Sequence, residues 1–405
     1  MVSSTSLTDD ILIEIFAHLP LNSIYKSNCL SKAWLSNLSN PNFFIKWFQL
    51  NYKSLPWIHY HMITQEDADK AKPWRFRTGY HELHSDFMSR NEHLFNFKFI
   101  KNQKPAYLCL LGSSNGLVLC DSWSDGQERY LVCNPLTQKW VYLPSSPCPR
   151  ANGEITGYFC EYSSSFTSRF RVVCIPKFDE PSKIFNVNVF CSDLGEWKSF
   201  QVSCDENVVW GWCDWEKVVI HKGVLLWIEE GNRMIVYDLN QKTQSNGHRC
   251  SLINLPDVRY DDAEYGNNCR IGESEGWVCY AKVRWTDRAV TMNVWVLDGV
   301  KWQILHFDIS ISIDNIVTEL SSERGRAVRI QVLGFSPVDR NIVFLSWKHW
   351  VWGLNIQTRS FEELCVDIGH LYRNGRLGPF VLKPMPTVLP APSWNALSSD
   401  LCISN

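Results

Sequence analysis

The residues in this chain that could do chemistry do not form a complete catalytic set. The segment 112–116 reads Gly-Ser-Ser-Asn-Gly. A nucleophilic serine needs a strand–turn–helix setting, whereas Asn-Gly is typical of a hairpin turn. Glu229 and Glu230 could act as acid and base, but adjacent residues of a strand point to opposite faces. We interpret them as a solvated pair beside a turn and predict no catalytic residues.

The residues that could bind a metal do not have the sequence spacing of a metal site. His59, His61, His81 and His84 occur in one region without a cysteine or carboxylate at a supporting position. The fifteen cysteines include no C-x-x-C pair and are scattered through apolar, strand-like runs. We interpret them as buried, reduced thiols rather than as disulfides or zinc ligands. The sequence therefore predicts no metal and no cofactor.

Composition excludes several classes of function. The 405 residues are 45% hydrophobic and 20% charged, which is ordinary for a globular protein with more than one domain. A net charge of -2 gives no electrostatic footprint for nucleic acid, and Arg324, Arg326 and Arg329 are interpreted as a solvated loop. No apolar run reaches the 18 or so residues that a membrane span needs. Residues 1–8 are polar and do not resemble a targeting segment, so we expect the nucleus and/or cytoplasm.

The elements that must position any site begin with three predicted helices. The first starts after Thr8 as N-cap, ends before Pro20 and carries one broad apolar stripe. A second is predicted over residues 23–38, and a third starts at Asn40-Pro41. The stripe of the first helix consists of Ile11, Leu12, Ile15, Phe16 and Leu19. About fifty residues cannot bury this much apolar surface internally, so it needs either the rest of the chain or a partner.

The order and spacing of these residues resemble the F-box motif over roughly residues 5–45. The resemblance is carried by Leu7, Asp10, Ile11, Leu12, Ile15, Leu19, Pro20, Ile24, Cys29, Ser31, Lys32, Trp34 and Pro41. It implies that residues 1–50 bind the Skp-type adaptor of a cullin–RING ubiquitin ligase. The implied adaptor contacts are Leu7, Ile11, Leu12, Ile15, Leu19, Pro20, Ile24, Leu30 and Trp34. Some of these must be internal core instead, and the sequence cannot separate the two groups.

After a junction over residues 51–100, the region 101–385 is predicted to be nearly all strand. A strand–turn–strand unit recurs five times, with its aligned positions 46 to 59 residues apart. The aligned positions are Trp140, Trp197, Thr243, Trp302 and Phe361. This spacing favours a β-propeller over the alternative of two packed β-sandwiches. A further blade would pair residues 94–100 with 378–383 and so close the ring. Residues 386–405 are predicted to be a disordered tail.

Segments 112–118 and 134–137 resemble the F-box-associated, kelch-like domain of plant F-box proteins. The fold class is thus α+β multidomain, a small three-helix F-box followed by a mainly antiparallel β domain, and most tryptophans are expected in its core. The resemblance implies a non-catalytic substrate receptor that binds the adaptor and an unknown target protein. The alternative is a binding or scaffold protein outside a ligase, because Asn28, Leu35 and Asn37 depart from the plant pattern. A propeller hydrolase is a distant third.

Overall fold

The structure is a computed structural model of the chain. The residues it describes are 8–19, 21–27, 30–38, 40–51, 58–65, 75–82, 99–100, 107–124, 127–147, 154–162, 168–176, 178, 180–209, 218–229, 233–241, 248–256, 269–285, 290–311, 330–337, 339–347, 350–365, 377–382 and 387–390.

Four short helices, rather than the three predicted, form the helical head, by which we mean residues 8–51. They are α1 (Asp9–Ala17), α2 (Leu21–Ser27), α3 (Lys32–Leu38) and α4 (Pro41–Asn51). The predicted second helix is divided because Ser31 starts a new one. Its hydroxyl accepts a hydrogen bond from the Trp34 amide at 3.1 Å. A serine in this position satisfies a helix donor that would otherwise lack a partner.

The predicted start of α1 and the predicted N-cap residue, Thr8, are both confirmed, but the side chain of Thr8 does not do the capping. Thr8 is extended, and its carbonyl accepts bonds from the amides of Ile11 (3.0 Å) and Leu12 (3.1 Å), while its side chain makes no capping bond. At α4 the cap is a side chain: Asn40 Oδ1 accepts a bond from the Asn42 amide at 2.9 Å. Pro41 is the first helical residue, where its missing N–H costs nothing.

The described strands follow in chain order. They are β1 (Ile58–Gln65), β2 (Arg75–Glu82), β3 (Tyr107–Ser114), β4 (Leu117–Ser124), β5 (Gln127–Asn134), β6 (Lys139–Tyr142), β7 (Glu154–Tyr162), β8 (Ser168–Pro176), β9 (Ser182–Cys191), β10 (Glu196–Val208), β11 (Val218–His221), β12 (Val224–Ile228), β13 (Arg233–Asp238), β14 (His248–Asn254), β15 (Cys269–Ser274), β16 (Trp277–Trp285), β17 (Val290–Asp298), β18 (Lys301–Ser310), β19 (Gln331–Phe335), β20 (Ile342–Trp347), β21 (Trp350–Asn355), β22 (Ser360–Cys365) and β23 (Leu377–Leu382).

Most of these strands form five antiparallel meanders of four. We call β3–β6 the first sheet, β7–β10 the second, β11–β14 the third, β15–β18 the fourth and β19–β22 the fifth. The predicted repeat falls in each sheet at the connection between the third and fourth strands, although in the third sheet its aligned position, Thr243, lies outside the described residues. Several of these turns are held by a side chain: Asn134 Oδ1 accepts from the Leu136 amide (2.8 Å), and Asn355 Oδ1 from the Gln357 amide (3.0 Å). The Asp/Asn at the turn recurs because its short side chain bonds the backbone two residues on.

The five sheets lie side by side in a ring. The first strand of each sheet lies beside the first strand of the next, from β3 through β7, β11 and β15 to β19. β23 lies beside β19, and β2 and β23 lie beside β3, which completes the circle. Meanders arranged radially in this way are characteristic of a β-propeller, and the ring does not match two packed sandwiches.

The ring is closed by a different pair of segments from the one predicted. The C-terminal strand β23 pairs antiparallel with β1, with Ile58 opposite Leu382, and β1 pairs with β2. Of the predicted partner 94–100, residues 99 and 100 are not in a strand and 94–98 lie outside the described residues. The prediction is confirmed for the C-terminal segment but did not identify β1 as its partner, because pairing between distant segments depends on where the ring brings the chain ends, which local alternation does not encode.

Part of the predicted disordered tail is packed. Thr387 is fully buried; its carbonyl accepts a bond from Asn134 Nδ2 at 2.6 Å, and its hydroxyl donates to the Asn115 carbonyl. Leu389 packs against the core shared by the first and second sheets. Residues 387–390 therefore fasten the chain after β23 to the turns of the first sheet, while 391–405 lie outside the described residues.

This attachment gives a testable prediction. Asn134→Ala removes both the turn bond and the bond to Thr387, so we expect a loss of about 2 kcal/mol in the free energy of unfolding. Asn355→Ala is the matched control, because Asn355 makes the same kind of turn in the fifth sheet. Urea denaturation should show a larger loss for Asn134→Ala. Equal losses would mean that the bond to Thr387 contributes nothing.

Candidate protein-interaction surface

The inner face of the helical head is closed by the chain itself. Six head residues are buried there: Phe16, Ala17, Ile24, Leu38, Phe43 and Trp47. They form one continuous core cluster with Val118, Cys120, Leu131, Cys133 and Leu136 of the first sheet. The head and the first sheet therefore share a core. The rest of the chain, rather than a partner, covers this part of the apolar surface of the head.

The outer face of the head remains apolar and exposed. The exposed fractions of Ile11, Ile15 and Leu30 are 47%, 48% and 69%. Ile11 and Ile15 are four residues apart on α1, so they lie on the same side of that helix. Leu30 lies between α2 and α3, just before the Ser31 cap. Isoleucine and leucine side chains exposed to this extent on one small domain make this face of the head a candidate protein-binding surface.

The structure separates the nine residues implied as adaptor contacts into groups. Ile11, Ile15 and Leu30 are exposed. Leu12, Leu19 and Trp34 are partly buried and pack against the head core, whereas Ile24 is fully buried and belongs to it. Leu7 and Pro20 lie outside the described residues. The sequence could not make this separation, because an amphipathic stripe has the same spacing whether its neighbour is the same chain or another.

The exposed isoleucines stand on a rigid support. Trp47 Nε1 donates to the Leu19 carbonyl at 2.9 Å, and Asn51 Nδ2 donates to the Ala17 carbonyl at 3.0 Å, so α4 holds the end of α1. The rings of Phe16 and Trp34 meet edge to face with centroids 5.0 Å apart, which joins α1 to α3. A hydrogen bond from Lys46 lowers the pKa of Glu14 on the exposed side. A preformed surface loses little entropy when a partner binds.

Two further exposed leucines were not predicted. Leu35 on α3 and Leu50 on α4 are each about half exposed. The sequence did contain a signal that Leu35 is exposed, because it stands where plant F-boxes usually carry a basic residue. Leu50 follows the spacing of the buried Phe43 and Trp47, so periodicity alone places it in the core.

The acidic pair considered for catalysis has a structural role, and the prediction that it is solvated is wrong for Glu229. This side chain is fully buried and forms an ion pair with Arg233 Nε. Its other oxygen accepts a bond from the Val209 amide at 3.0 Å, and Arg233 Nη1 also contacts Glu206 at 2.7 Å. Glu230 lies outside the described residues. Glu229 is thus committed to joining the third sheet to the end of β10.

Removing the charge of Glu229 should destabilise the protein while removing that of Glu206 should not. Glu229→Gln removes the buried charge that compensates the partly buried Arg233 guanidinium, so we expect a loss of about 2 kcal/mol in the free energy of unfolding. Glu206→Gln alters the same guanidinium, but the Glu206 side chain is 70% exposed and we expect little change. Denaturation of both variants measures the difference, and equal effects would contradict it.

The other chemistry considered from the sequence finds no site in the described part of the chain. The backbone register places His59 opposite His81, and His84 lies outside the described residues. Where side chains are described, no group of three His, Cys, Asp or Glu residues could hold a metal. Trp140, Trp197 and Trp302 pack against core clusters of their sheets, as expected of core tryptophans. No described helix has the length and apolarity of a membrane span.

Comparison with known proteins gives a family for most of the chain. The family model "F-box protein At3g26010-like, beta-propeller" matches residues 88–368, which include all five sheets, from β3 to β22. The match begins after the helical head.

Individual relatives extend the similarity towards the head. The chain is 26% identical over 318 residues to F-box protein At5g49610 of Arabidopsis thaliana, covering 75% of this chain and 79% of the relative. It is 23% identical over 375 residues to the putative F-box/kelch-repeat protein At4g22430 of the same plant, covering 88% of this chain and 80% of the relative. A solved structure, TolB from Acinetobacter baumannii, aligns with 82% of this chain and 67% of its own at 8% identity and a TM-score of 0.39.

Proposed function

Because the chain belongs to the family of F-box proteins with an At3g26010-like β-propeller, we propose that it is the substrate-recognition subunit of a Skp–cullin–F-box ubiquitin ligase. The helical head binds the Skp-type adaptor, and the β domain binds a target protein. The observation that carries the proposal is the exposed apolar face of the head at Ile11, Ile15 and Leu30, on a domain whose inner face is already covered.

In this proposal the chain does no covalent chemistry. It holds the target near the ubiquitin-conjugating enzyme and so raises the effective concentration of the target at that enzyme. The buried, ion-paired state of Glu229 supports a non-catalytic role, because its two oxygens are occupied by Arg233 and by the Val209 amide. Such a receptor works in the nucleus and/or cytoplasm, where its ligase partners are.

The proposal is tested by reconstitution with the adaptor and a cullin. We expect the full chain to co-purify with both in one complex. The exposed Leu35 favours a second candidate, a binding or scaffold protein that has kept an F-box but assembles no ligase, since a basic residue is usual at this position in plant F-boxes. That candidate predicts that no cullin co-purifies with the chain. If the leucine at position 35 is what prevents assembly, Leu35→Lys should restore the recovery of cullin.

A further inference from the structure

The end of β10 is bound to the third sheet although the strand belongs to the second. We call residues 202–209 the junction segment. Val202 and Ser203 pair in parallel with His248 and Arg249 of β14, which joins the two sheets into one of eight strands. Within this segment the pairing of β10 with β9 becomes irregular, between Ser203 and Val208. The segment thus departs from its own sheet where it meets the next.

Side chains add to this attachment. Arg233 of β13 donates from Nη2 to the Asn207 carbonyl at 2.9 Å and pairs with Glu206, while the Val209 amide donates to Glu229. His248, the residue of β14 opposite Val202, is buried, and its Nδ1 lies 2.9 Å from the Tyr237 hydroxyl. The outer strands of neighbouring propeller sheets ordinarily diverge with distance from the axis, so these contacts hold together two strands that the fold would separate.

Two cysteines continue this pairing and are bonded to each other. Cys204 follows Ser203, Cys250 follows Arg249, and their sulfurs form a disulfide between β10 and β14. Both residues are buried, and their Cα atoms are 5.2 Å apart, within the usual range for a disulfide. The expectation that all cysteines are reduced thiols is therefore wrong for this pair. The parallel pairing places the two residues side by side whether or not their sulfurs are bonded.

Other described thiols are set apart from this pair. Cys120, Cys133, Cys174 and Cys279 are buried and form no disulfide, and burial raises the pKa of the Cys279 thiol to about 12. Cys191 on β9 is half-buried, and burial likewise raises its pKa. A thiol with a raised pKa is a poor nucleophile near neutral pH. Cys191 is therefore the appropriate control position on the strand next to β10.

We propose that Cys204 and Cys250 form a reversible redox lock between the second and third sheets. The lock closes by thiol–disulfide exchange with a low-molecular-weight disulfide. As the Cys204–Cys250 bond forms, both thiols lose a proton, and two electrons pass to that disulfide, whose sulfur–sulfur bond breaks to give two thiols. The closed lock fixes the junction segment to β14. When the lock opens, the two-residue parallel pair and the Arg233 contacts carry the attachment, and the outer strands separate more readily.

The test uses the full chain in buffers with graded ratios of reduced to oxidised glutathione. Free thiols are alkylated, and mass spectrometry measures the fraction of the peptide linked through Cys204 and Cys250. We expect this fraction to fall from nearly all to nearly none as the buffer becomes reducing. Backbone hydrogen exchange should rise in β10 and β14 on reduction and stay unchanged in β15–β18. The midpoint of thermal unfolding should fall by about 5 °C.

Cys204→Ser should abolish the dependence of exchange on the glutathione ratio, and Cys191→Ser should leave it intact. If Cys204→Ser does not fold, the titration of the unmodified chain decides alone. A linked peptide absent at every ratio, one that persists in the most reducing buffer, or exchange that changes equally in all sheets would each overturn the lock. None of these measurements involves the adaptor, so their outcome is independent of the proposed ligase role.

Discussion

Ile11→Asp combined with Ile15→Asp is expected to raise the dissociation constant for the Skp-type adaptor at least about 100-fold. Both side chains lie exposed on one side of α1, where a partner would cover them. Apolar anchors at the centre of an interface each contribute about 2 kcal/mol or more, and a carboxylate in their place must be desolvated without a partner. Calorimetric titration of the full chain with the adaptor measures the change.

The structure also decides which substitutions make a clean test. Leu19→Asp would place a charge against the head core, because Leu19 is packed there, and lost binding would then be ambiguous. The matched control is Ile184→Asp on β9, where an isoleucine is 52% exposed and far from the head in sequence. This variant should bind the adaptor normally. Full affinity of the doubly substituted head, with an unchanged unfolding midpoint, would exclude the outer face of α1 as the interface.

Trp47→Ala is expected to lower the free energy of unfolding by about 3 to 5 kcal/mol. The Trp47 side chain is fully buried at the centre of the head core, and its indole N–H donates to the Leu19 carbonyl. The substitution leaves a large cavity and a carbonyl without its partner. Trp277→Ala is the control, because Trp277 is 43% exposed at a turn of the fourth sheet and should cost less than about 1 kcal/mol. Urea denaturation compares the two.

The shared core makes a second, sharper expectation for Trp47→Ala. The cluster around Trp47 continues into Val118 and Cys120 of β4 and Leu131 of β5. Loosening the head should therefore increase hydrogen exchange in β4 and β5, while β19–β22, in the fifth sheet, keep their protection. If exchange increases only within the head, the head and the first sheet are independent units, and the shared core does not stabilise the first sheet.

The repeat could be predicted from the sequence because each hairpin is a local event. An Asp or Asn side chain that hydrogen-bonds the backbone two residues on, as at Asn134 and Asn355, specifies the turn through only a few adjacent residues. The Asn115-Gly116 turn is equally local, since both residues have the positive φ angles that this pair tolerates. The division of the predicted second helix into α2 and α3 was not predicted. Its apolar periodicity continues through Ser31, and this outweighed the capping signal of that serine.

The sequence by itself determined a helical head with an excess of apolar side chains, a β domain built from repeated hairpins, and a resemblance to plant F-box proteins. These follow from interactions between residues close in the chain. The tertiary structure alone decided which head residues face the first sheet and which face water, that β23 closes the ring on β1, that Glu229 is buried against Arg233, and that Cys204 meets Cys250. Glu229 and Arg233 are only four residues apart, and it is their bonds to Val209 and Asn207 at the end of β10 that no local pattern predicts. The other contacts join segments far apart in sequence, and their meeting depends on how the whole ring packs.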